Sequence, residues 1–186
     1  MISPDQATIE PLPETEFESF LRYLNDHLRD NGGEQGFFQP LPAGAGLAPA
    51  RTEAMRAGLA IAVGKPGWRR AWGARALDGD LIGHIDLRGR AEPFTSHRCL
   101  LGMGVRRDVR GRGLGSRMLE YALGWAENQP TLDWVDLDVI STNSGAVLLY
   151  QRMGFASVGR LEDLFRIDGQ ELDSIMMSKR LRRAPR

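Results

Sequence analysis

The sequence has little cysteine, no net charge and no long apolar run. Cys99 is the single cysteine among 186 residues, which excludes an internal disulfide and predicts a reducing compartment. The 24 basic and 24 acidic residues cancel, and this balance argues against nucleic acid or an anionic membrane as a partner. No stretch approaches the roughly 20 apolar residues of a membrane span. The N-terminus lacks the basic and apolar segments of a secretory leader, so we expect a cytoplasmic protein.

The length of the chain is typical of one domain. We expect this domain to cover residues 1–180, followed by a solvated basic tail at 181–186. The three histidines and the one cysteine are scattered without metal-ligand spacing, which predicts that the protein has no metal site. The sequence leaves the oligomeric state open, with a homodimer among the alternatives.

Hydrophobic periodicity predicts an α+β protein in the order β-α-α-β-β-β-α-β-α-β-β. A capping box formed by Thr15 and Glu18 predicts that the first helix opens there and runs to about Asn31. The other predicted helices cover about 51–63, 113–128 and 143–153. The predicted strands cover about 8–12, 69–77, 81–88, 97–105, 134–140, 156–166 and 170–179.

The stretch VRRDVRGRGLGSRML, residues 105–119, contains five arginines and three glycines between a predicted strand and a predicted helix. Such a junction presents consecutive backbone N–H groups at the positive end of the helix dipole, an arrangement that binds phosphate. Gly111, Gly113 and Gly115 would let an anion approach the backbone, and Arg110 and Arg112 would add charge and forked donors. The spacing matches neither a P-loop nor a dinucleotide loop. The competing interpretation is a glycine-rich turn with solvated arginines.

Two motifs resemble the GCN5-related N-acetyltransferase (GNAT) family. RGRGLG, residues 110–115, is similar to the signature Q/R-x-x-G-x-G/A of that family. LDVISTNSGAVLLYQRMGF, residues 137–155, is similar to its L-E-V-x-x-x-N-x-x-A-x-x-L-Y-x-x-x-G-F stretch. This second motif matches at Leu137, Val139, Asn143, Ala146, Leu149, Tyr150, Gly154 and Phe155. It departs at Asp138, where many members have glutamate.

The resemblance implies a GNAT fold, in which a twisted, mostly antiparallel sheet of about seven strands is flanked by about four helices. It also implies that the sheet is splayed between the strands at 97–105 and 134–140, and that acetyl-coenzyme A is the acetyl donor. Gly102 and Gly104 interrupt a strand interior, which indicates a bulge or a close backbone approach at this splay. The residues expected to bind the donor are Met103, Gly104, Val105, Arg110, Gly111, Arg112, Gly113, Leu114, Gly115, Ser116, Asn143 and Tyr150.

Acetyl transfer to an amine needs a base for the amine, a donor for the oxyanion and an acid for the departing thiolate. By the resemblance, Tyr150 is the acid and a backbone N–H near Met103 faces the oxyanion. Asp138 aligns with a glutamate that serves as base in some members and, being one methylene shorter, could act through water. His97 is the rival base, because it lies where the histone-acetylating branch carries its glutamate and because histidine titrates near neutrality. Ordered water is the third alternative.

The acceptor is predicted to be a primary amine: a small amine, an amino acid or a protein N-terminus. By the resemblance, its pocket is built from residues about 25–55 and 159–171. Candidate contacts there are Glu34, Phe37, Phe38, Arg51, Glu162, Asp163, Phe165 and Arg166. His84, Asp86 and Arg88 alternate on one strand face, which is either a solvated face or part of the acceptor site.

Two rival functions stay open from the sequence. One is a catalytically inactive module that binds coenzyme A as a sensor. The other is nucleic-acid binding through the arginines of the 105–119 stretch, which the neutral total charge and the lack of interleaved aromatic residues disfavour.

Overall fold

A computed structural model describes residues 6–33 and 36–182 of the chain. Four α-helices and seven β-strands follow the predicted order. The helices are α1 (Phe17–Leu28), α2 (Pro49–Ala60), α3 (Leu114–Glu127) and α4 (Ser144–Arg152). The strands are β1 (Thr8–Pro11), β2 (Arg69–Arg75), β3 (Leu81–Gly89), β4 (Arg98–Val105), β5 (Trp134–Ile140), β6 (Ala156–Ile167) and β7 (Gln170–Arg180).

All seven strands form one sheet in the order β1-β2-β3-β4-β5-β7-β6. The pair β4–β5 is parallel and all other neighbouring pairs are antiparallel. The predicted α+β class and the mostly antiparallel seven-stranded sheet with four helices are therefore confirmed.

The sheet is splayed where its two parallel strands meet. β4 and β5 pair only at Arg98–Trp134, Cys99–Val135 and Leu100–Asp136, after which the ladder stops. The predicted opening between these strands is thus confirmed, and it divides the sheet into two halves.

The helices cover both faces of the sheet. Apolar residues of α3, among them Met118 and Leu119, pack against Ile85 and Leu87 of β3 in the main core, which also contains Tyr150 of α4. On the opposite face, Phe20 and Leu24 of α1 and residues of α2 form a second, smaller cluster; its members are Leu12, Phe17, Phe20, Leu24, Met55 and Ala71. Side chains alternate along a strand, so β3 gives Ile85 and Leu87 to the first face and His84 and Asp86 to the second.

Three predicted boundaries are wrong. Thr15 lies in a short 3₁₀ turn, Glu14–Glu16, that follows the extended Pro13, so α1 begins later. No side chain among the described residues caps it. Its C-terminal end tightens into i→i−3 bonds at residues 29–31 instead of continuing as α-helix. The helix predicted at 51–63 covers Pro49–Ala60, because proline is favoured at the first helical position.

The predicted solvated tail is wrong at its first residue. Leu181 is buried in the main core and its N–H donates to the carbonyl of Asp133. The remainder of that tail, from residue 183 onward, lies outside the described residues.

Candidate active site

The splay between β4 and β5 opens into a cleft of about 1220 Å³. One end, here called the loop end, is lined by the 110–116 loop and by residues of α4. The other end, here called the arginine end, is lined by side chains of α1, α2, β2 and β3. The lining of the arginine end includes His27, Phe38, Arg51, Met55, Arg69, His84, Asp86 and Arg88.

The glycine loop ends in a bare helix N-terminus. Gly111 and Gly113 have positive φ angles of 71° and 83°, which suit glycine because it has no Cβ. Gly113 is the N-cap of α3, and no side chain of the described chain caps the first turn. A Cβ placed on either glycine would meet nothing within 4 Å, so the space in front of the loop is open. The first N–H groups of α3 therefore face an open space at the positive end of the helix dipole.

The arginines of this loop are not equivalent. Arg110 lines the cleft, donates from Nε to the carbonyl of Val105 (2.7 Å) and pairs with Asp30 (3.5 Å). Arg112 is exposed and is not part of the cleft lining. Of the loop residues predicted to bind the donor, all but Arg112 line the cleft; they are Arg110, Gly111, Gly113, Leu114, Gly115 and Ser116.

Two other arginines of the 105–119 stretch also form ion pairs. Arg106 binds Asp108 (2.8 Å), and Arg107 binds Asp30 (2.7 Å). These ion pairs neutralise part of the charge that a nucleic-acid surface would need.

The strand β4 brings Met103, Gly104 and Val105 to the cleft wall. No register shift interrupts β3–β4, so the bulge that Gly102 and Gly104 allowed is absent and the close approach explains both glycines. A Cβ on Gly102 would lie 2.7 Å from Oδ2 of Asp86. The glycines of β4 thus make room for side chains of the second sheet face.

Gly115 serves packing as well as the loop. A Cβ there would lie 3.0 Å from Cδ2 of Leu149 and 3.4 Å from Cε of Met103. The absent side chain lets the start of α3 approach α4 and β4 together, which closes the loop end of the cleft. The sequence motif gave no indication of this packing role.

Tyr150 lies on α4 with 7% of its surface exposed and packs edge-on against Phe155 at 5.8 Å between ring centroids. It lines the cleft, and no hydrogen bond of its hydroxyl is found within the described residues. Burial raises the pKa of Tyr150, so the hydroxyl keeps its proton at neutral pH. Asn143 also lines the cleft and, as predicted, caps α4, accepting from the N–H of Ala146 (3.3 Å).

Asp138 is exposed and lines the cleft from β5, just beyond the last β4–β5 pair. Asp136, two residues earlier on the same face, is buried and binds Nε of Arg98 (2.7 Å) and the hydroxyl of Ser178 (2.6 Å). Burial pushes the pKa of Asp136 up, but the hydrogen bonds from Arg98 and Ser178 hold it below its usual value. The structure therefore gives the two carboxylates different roles: Asp136 fixes the strands, and Asp138 is open to the cleft.

His97 does not reach the site. It is exposed in the turn before β4, and its carbonyl accepts from the N–H groups of Asp133 and Trp134. The cleft begins four residues later, at Leu101. His97 therefore lies outside the cleft lining, and its role as base stays a prediction that this position disfavours. Strand alternation gives the face of a residue but not its position along the strand.

The arginine end contains a buried aromatic and histidine cluster that the sequence analysis missed in part. His27 packs on Tyr23 and Phe38, and His84 contacts Tyr23 and His27 at 5.6 and 5.9 Å between ring centroids. Burial lowers the pKa of His27 to about 3 and that of His84 to about 4, so both imidazoles are neutral at pH 7. The signal for His27 was its spacing of three residues after Leu24 on the apolar face of α1.

Of the predicted acceptor contacts, Phe38, Arg51 and Phe165 line the cleft. Phe37 is buried in a third small cluster with Ile140, so it belongs to the core. The remaining predicted contacts of the β6–β7 hairpin, Glu162, Asp163 and Arg166, lie outside the cleft lining, and Glu34 lies outside the described residues. His84 and Asp86 are buried and line the cleft, which contradicts a solvated face.

One buried amide holds the loop after α1 in place. Asn31 accepts from the N–H groups of Phe38 and Gln39 (2.9 Å each) and donates to the carbonyls of Gln39 (3.1 Å) and Leu41 (2.7 Å). These four bonds fix the segment that brings Phe38 to the cleft.

Within residues 6–33 and 36–182, no cluster of three His, Cys, Asp or Glu residues is arranged to hold a metal ion. The same part of the chain has no helix long and apolar enough to cross a bilayer.

Comparison with known proteins gives a consistent result. Residues 48–155 match the family profile described as Acetyltransferase (GNAT) family. The chain is 25% identical over 103 residues to L-amino acid N-acetyltransferase AaaT of Escherichia coli K12, covering 55% of this chain and 64% of that protein. It is 34% identical over 101 residues to N-alpha-acetyltransferase RimI of Mycobacterium tuberculosis H37Rv, covering 53% and 60%. The matches thus span less than two thirds of these curated relatives.

The fold comparison agrees. The structure of a GNAT-family acetyltransferase from Streptococcus pneumoniae superposes with a TM-score of 0.78 at 23% identity, covering 95% of this chain and all of that one (100%). At this level of identity the likeness concerns the fold.

Proposed function

Because the chain belongs to the GNAT acetyltransferase family, we propose that it transfers an acetyl group from acetyl-coenzyme A to a primary amine. The observation that supports this proposal most is the open glycine loop at the start of α3, where Gly111 and Gly113 leave free space in front of uncapped N–H groups. A diphosphate fits such a site by charge and by its need for several close donors.

When bound, acetyl-coenzyme A would supply an activated acetyl thioester to the cleft. Gly111, Gly113, Gly115 and Ser116 would hold the diphosphate through their backbone N–H groups, with Arg110 adding positive charge beside Asp30. The unpaired edge of β4 from Met103 to Val105 and the side chain of Asn143 would contact the amide-bearing arm. A backbone N–H of this edge would stabilise the oxyanion.

Two residues at the splay would carry out the two proton transfers of the reaction, one from the amine and one to the thiolate. A primary amine with a pKa near 10.4 is almost entirely protonated at pH 7, so Asp138 would accept its proton, directly or through water. The amine nitrogen then bonds to the acetyl carbonyl carbon, and the carbon–sulfur bond breaks. Tyr150 would give its proton to the departing thiolate, and its buried hydroxyl keeps that proton until then.

The relatives leave the acceptor class open. AaaT is named for acetylating L-amino acids and RimI for acetylating N-α-amino groups. Both kinds of acceptor contain the primary amine that this site would use.

Two measurements test the proposal. Calorimetry should detect binding of coenzyme A, and thiol release should follow when acetyl-coenzyme A is mixed with a panel of amines. Binding without turnover on any amine would instead support the inactive sensor, and the absence of binding would reject the loop assignment.

A further inference from the structure

The arginine end of the cleft contains more positive than negative charge. Arg51 of α2, Arg69 of β2 and Arg88 of β3 all line it, and the one carboxylate among them is Asp86. Asp86 is buried and accepts through Oδ1 from Arg69 (2.7 Å) and from Arg88 (3.2 Å). Within the described lining, three guanidinium groups therefore surround one carboxylate.

The position of Asp86 is fixed. Its other oxygen, Oδ2, lies where a Cβ of Gly102 would be only 2.7 Å away, so the strand backbone blocks that side. Two ion pairs and this close packing hold Asp86 against Arg69 and Arg88, whose other N–H donors stay available. One carboxylate cannot balance a third guanidinium group.

Arg51 is that third group. Its side chain is exposed in the first turns of α2, and no ion pair of Arg51 is found within the described residues. Partial burial and the like charge of Arg88 lower the pKa of Arg51, although Asp86 raises it. The cleft therefore has a guanidinium group that is available to a second anion.

The other acidic residues of the lining lie elsewhere. Glu120 belongs to α3 at the loop end, and Asp138 lies on β5 across the splay. Neither is among the charges that shift the pKa of Arg51 or of Arg69. A cationic group of a substrate at this end would lie beside guanidinium groups, which repel an additional cation.

Building on the proposed function, we propose that the acceptor is an amine that also carries an anionic group, most simply a carboxylate, and that Arg51 and Arg88 bind this group. Asp86 pairs with Gly102 and His84 pairs with Gly104 across β3–β4. The Nη1 atom of Arg88 lies 3.0 Å from where a Cβ of Gly102 would be, so this guanidinium group is at the level of Gly102. The expected thioester position near Gly104 is two residues further on, about 7 Å along the strand. The amine and carboxylate of a small amino acid are about 3 Å apart, and a contact of about 3 Å is added at each end. Such a molecule fits here with its carboxylate at the arginines and its nitrogen toward β4.

The proposal separates three acceptor classes. Free amino acids carry the required anion, whereas their carboxamides have the same amine and side chain without it. Spermidine has several amines and no anion. Guanidinium–carboxylate bonds are charge-assisted and favour a two-pronged geometry, so the loss of the carboxylate should be costly.

The test measures thiol release from acetyl-coenzyme A with each of the common L-amino acids, the matching carboxamides, and spermidine. For the best amino acid we expect a kcat/KM at least about tenfold higher than for its carboxamide. The variants Arg51→Gln and Arg88→Gln should reduce this ratio toward one, chiefly by slowing the amino acid. Arg22→Gln is the control, because Arg22 is exposed on α1 and lies outside the cleft lining.

The melting temperature of the protein, measured with coenzyme A and each of the same acceptors, reports acceptor binding independently of turnover. Amino acids should raise the melting temperature and carboxamides should not. Equal kcat/KM for acid and amide, a preference for spermidine, or an Arg51→Gln variant that slows both equally would overturn the anionic acceptor. Failure of coenzyme A to bind would reject the proposed function instead, and the thermal shift with amino acids alone would then still decide about the arginine end.

Discussion

Gly104 of β4 and the imidazole of His27 on α1 occupy neighbouring space so closely that a Cβ on Gly104 would lie 2.5 Å from Nε2 of His27. The ring of His84 leaves as little room, with its Cε1 at 2.7 Å from the same point. The hydroxyl of Tyr23 reaches the carbonyl of Gly104 at 3.4 Å. The helix α1 thus rests on the strand that forms the cleft wall, and a glycine is the contact point.

This packing predicts that Gly104→Ala destabilises the protein. The added methyl group must displace two buried rings, and overpacking of this kind costs about 1–3 kcal/mol. The measurement is the free energy of unfolding from a denaturant titration. Gly124→Ala is the matched control: Gly124 lies inside α3 with open space around its Cβ, so alanine should stabilise there by about 0.5–1 kcal/mol. An unchanged free energy of unfolding in Gly104→Ala would show that the rings of His27 and His84 move aside at no cost.

Gly113→Glu should abolish coenzyme A binding by placing a carboxylate in front of the N–H groups that are proposed to hold the diphosphate. Gly113→Ala is the control, because both variants share the strain of a positive φ, about 1–2 kcal/mol, and only one adds charge. Calorimetry should show a loss of affinity of about a hundredfold or more for glutamate and a much smaller one for alanine. An equal loss of coenzyme A affinity in both variants would mean that the backbone geometry at Gly113, and not the added charge, disrupts binding.

Tyr150→Phe removes the proposed proton donor and keeps the packing against Phe155. We expect kcat to fall by about a hundredfold or more, the usual contribution of a general acid, with the dissociation constant of coenzyme A nearly unchanged. Tyr121→Phe serves as control, since Tyr121 lies on α3 against Trp72 and outside the cleft lining. An unchanged kcat in Tyr150→Phe removes this residue from the chemistry.

Asp138→Asn should slow turnover most near neutral pH. The deficit should shrink as the pH approaches the pKa of the acceptor's amine, because free amine then needs no base. A pH profile of kcat/KM for wild type and variant gives the comparison, and coenzyme A affinity reports the integrity of the strand. If the deficit is the same at every pH, Asp138 has a structural role and ordered water becomes the stronger candidate for the base.

Stability should fall as the pH is lowered from about 6.5 toward about 4. The folded-state pKa values of His27 (about 3) and His84 (about 4) lie below the ordinary value of 6.5. In this window the two histidines take up protons in the unfolded chain but stay neutral in the folded chain. The free energy of unfolding therefore decreases as the pH falls through the window, and it does not change with pH above about 6.5. The slope is on the order of 1 kcal/mol per pH unit for each histidine. Denaturation at pH 7.5, 6 and 5 measures it, and His84→Gln should show a shallower slope; an equal slope would assign the effect to other groups.

The order of elements and the loop end of the cleft were predictable from the sequence because each rests on local signals, whereas the sheet type followed from the family resemblance. Hydrophobic period, turn residues and the RGRGLG stretch all lie within short segments, and the position of the splay followed from the family resemblance. Asn143 could be assigned as an N-cap from its place before an apolar-periodic run.

The arginine end was only partly predictable because it is assembled from four separate elements. Arg51, Arg69 and Arg88 come from α2, β2 and β3, and pairing registers, not sequence spacing, bring them together around Asp86. His27 belongs to an apolar helix face, where a histidine is easily counted as part of the core.

The helix and turn errors have a similar origin. The motif at Thr15 fits a capping box, but the extended Pro13 before it directs the chain into a 3₁₀ turn. Phe37 and Phe38 were both predicted to contact the acceptor, whereas Asn31 holds the backbone so that Phe37 packs into the core and Phe38 lines the cleft.

The three-residue ladder between β4 and β5 has a consequence for solubility as well as for the site. Unpaired strand edges normally invite strands of other proteins and so promote aggregation. Here the free edges of β4 beyond Leu100 and of β5 beyond Asp136 face each other across a cleft instead of lying at the outer border of the sheet. The amide-bearing arm of the proposed donor would pair with these edges, so binding of the donor would also cover backbone groups that otherwise favour aggregation.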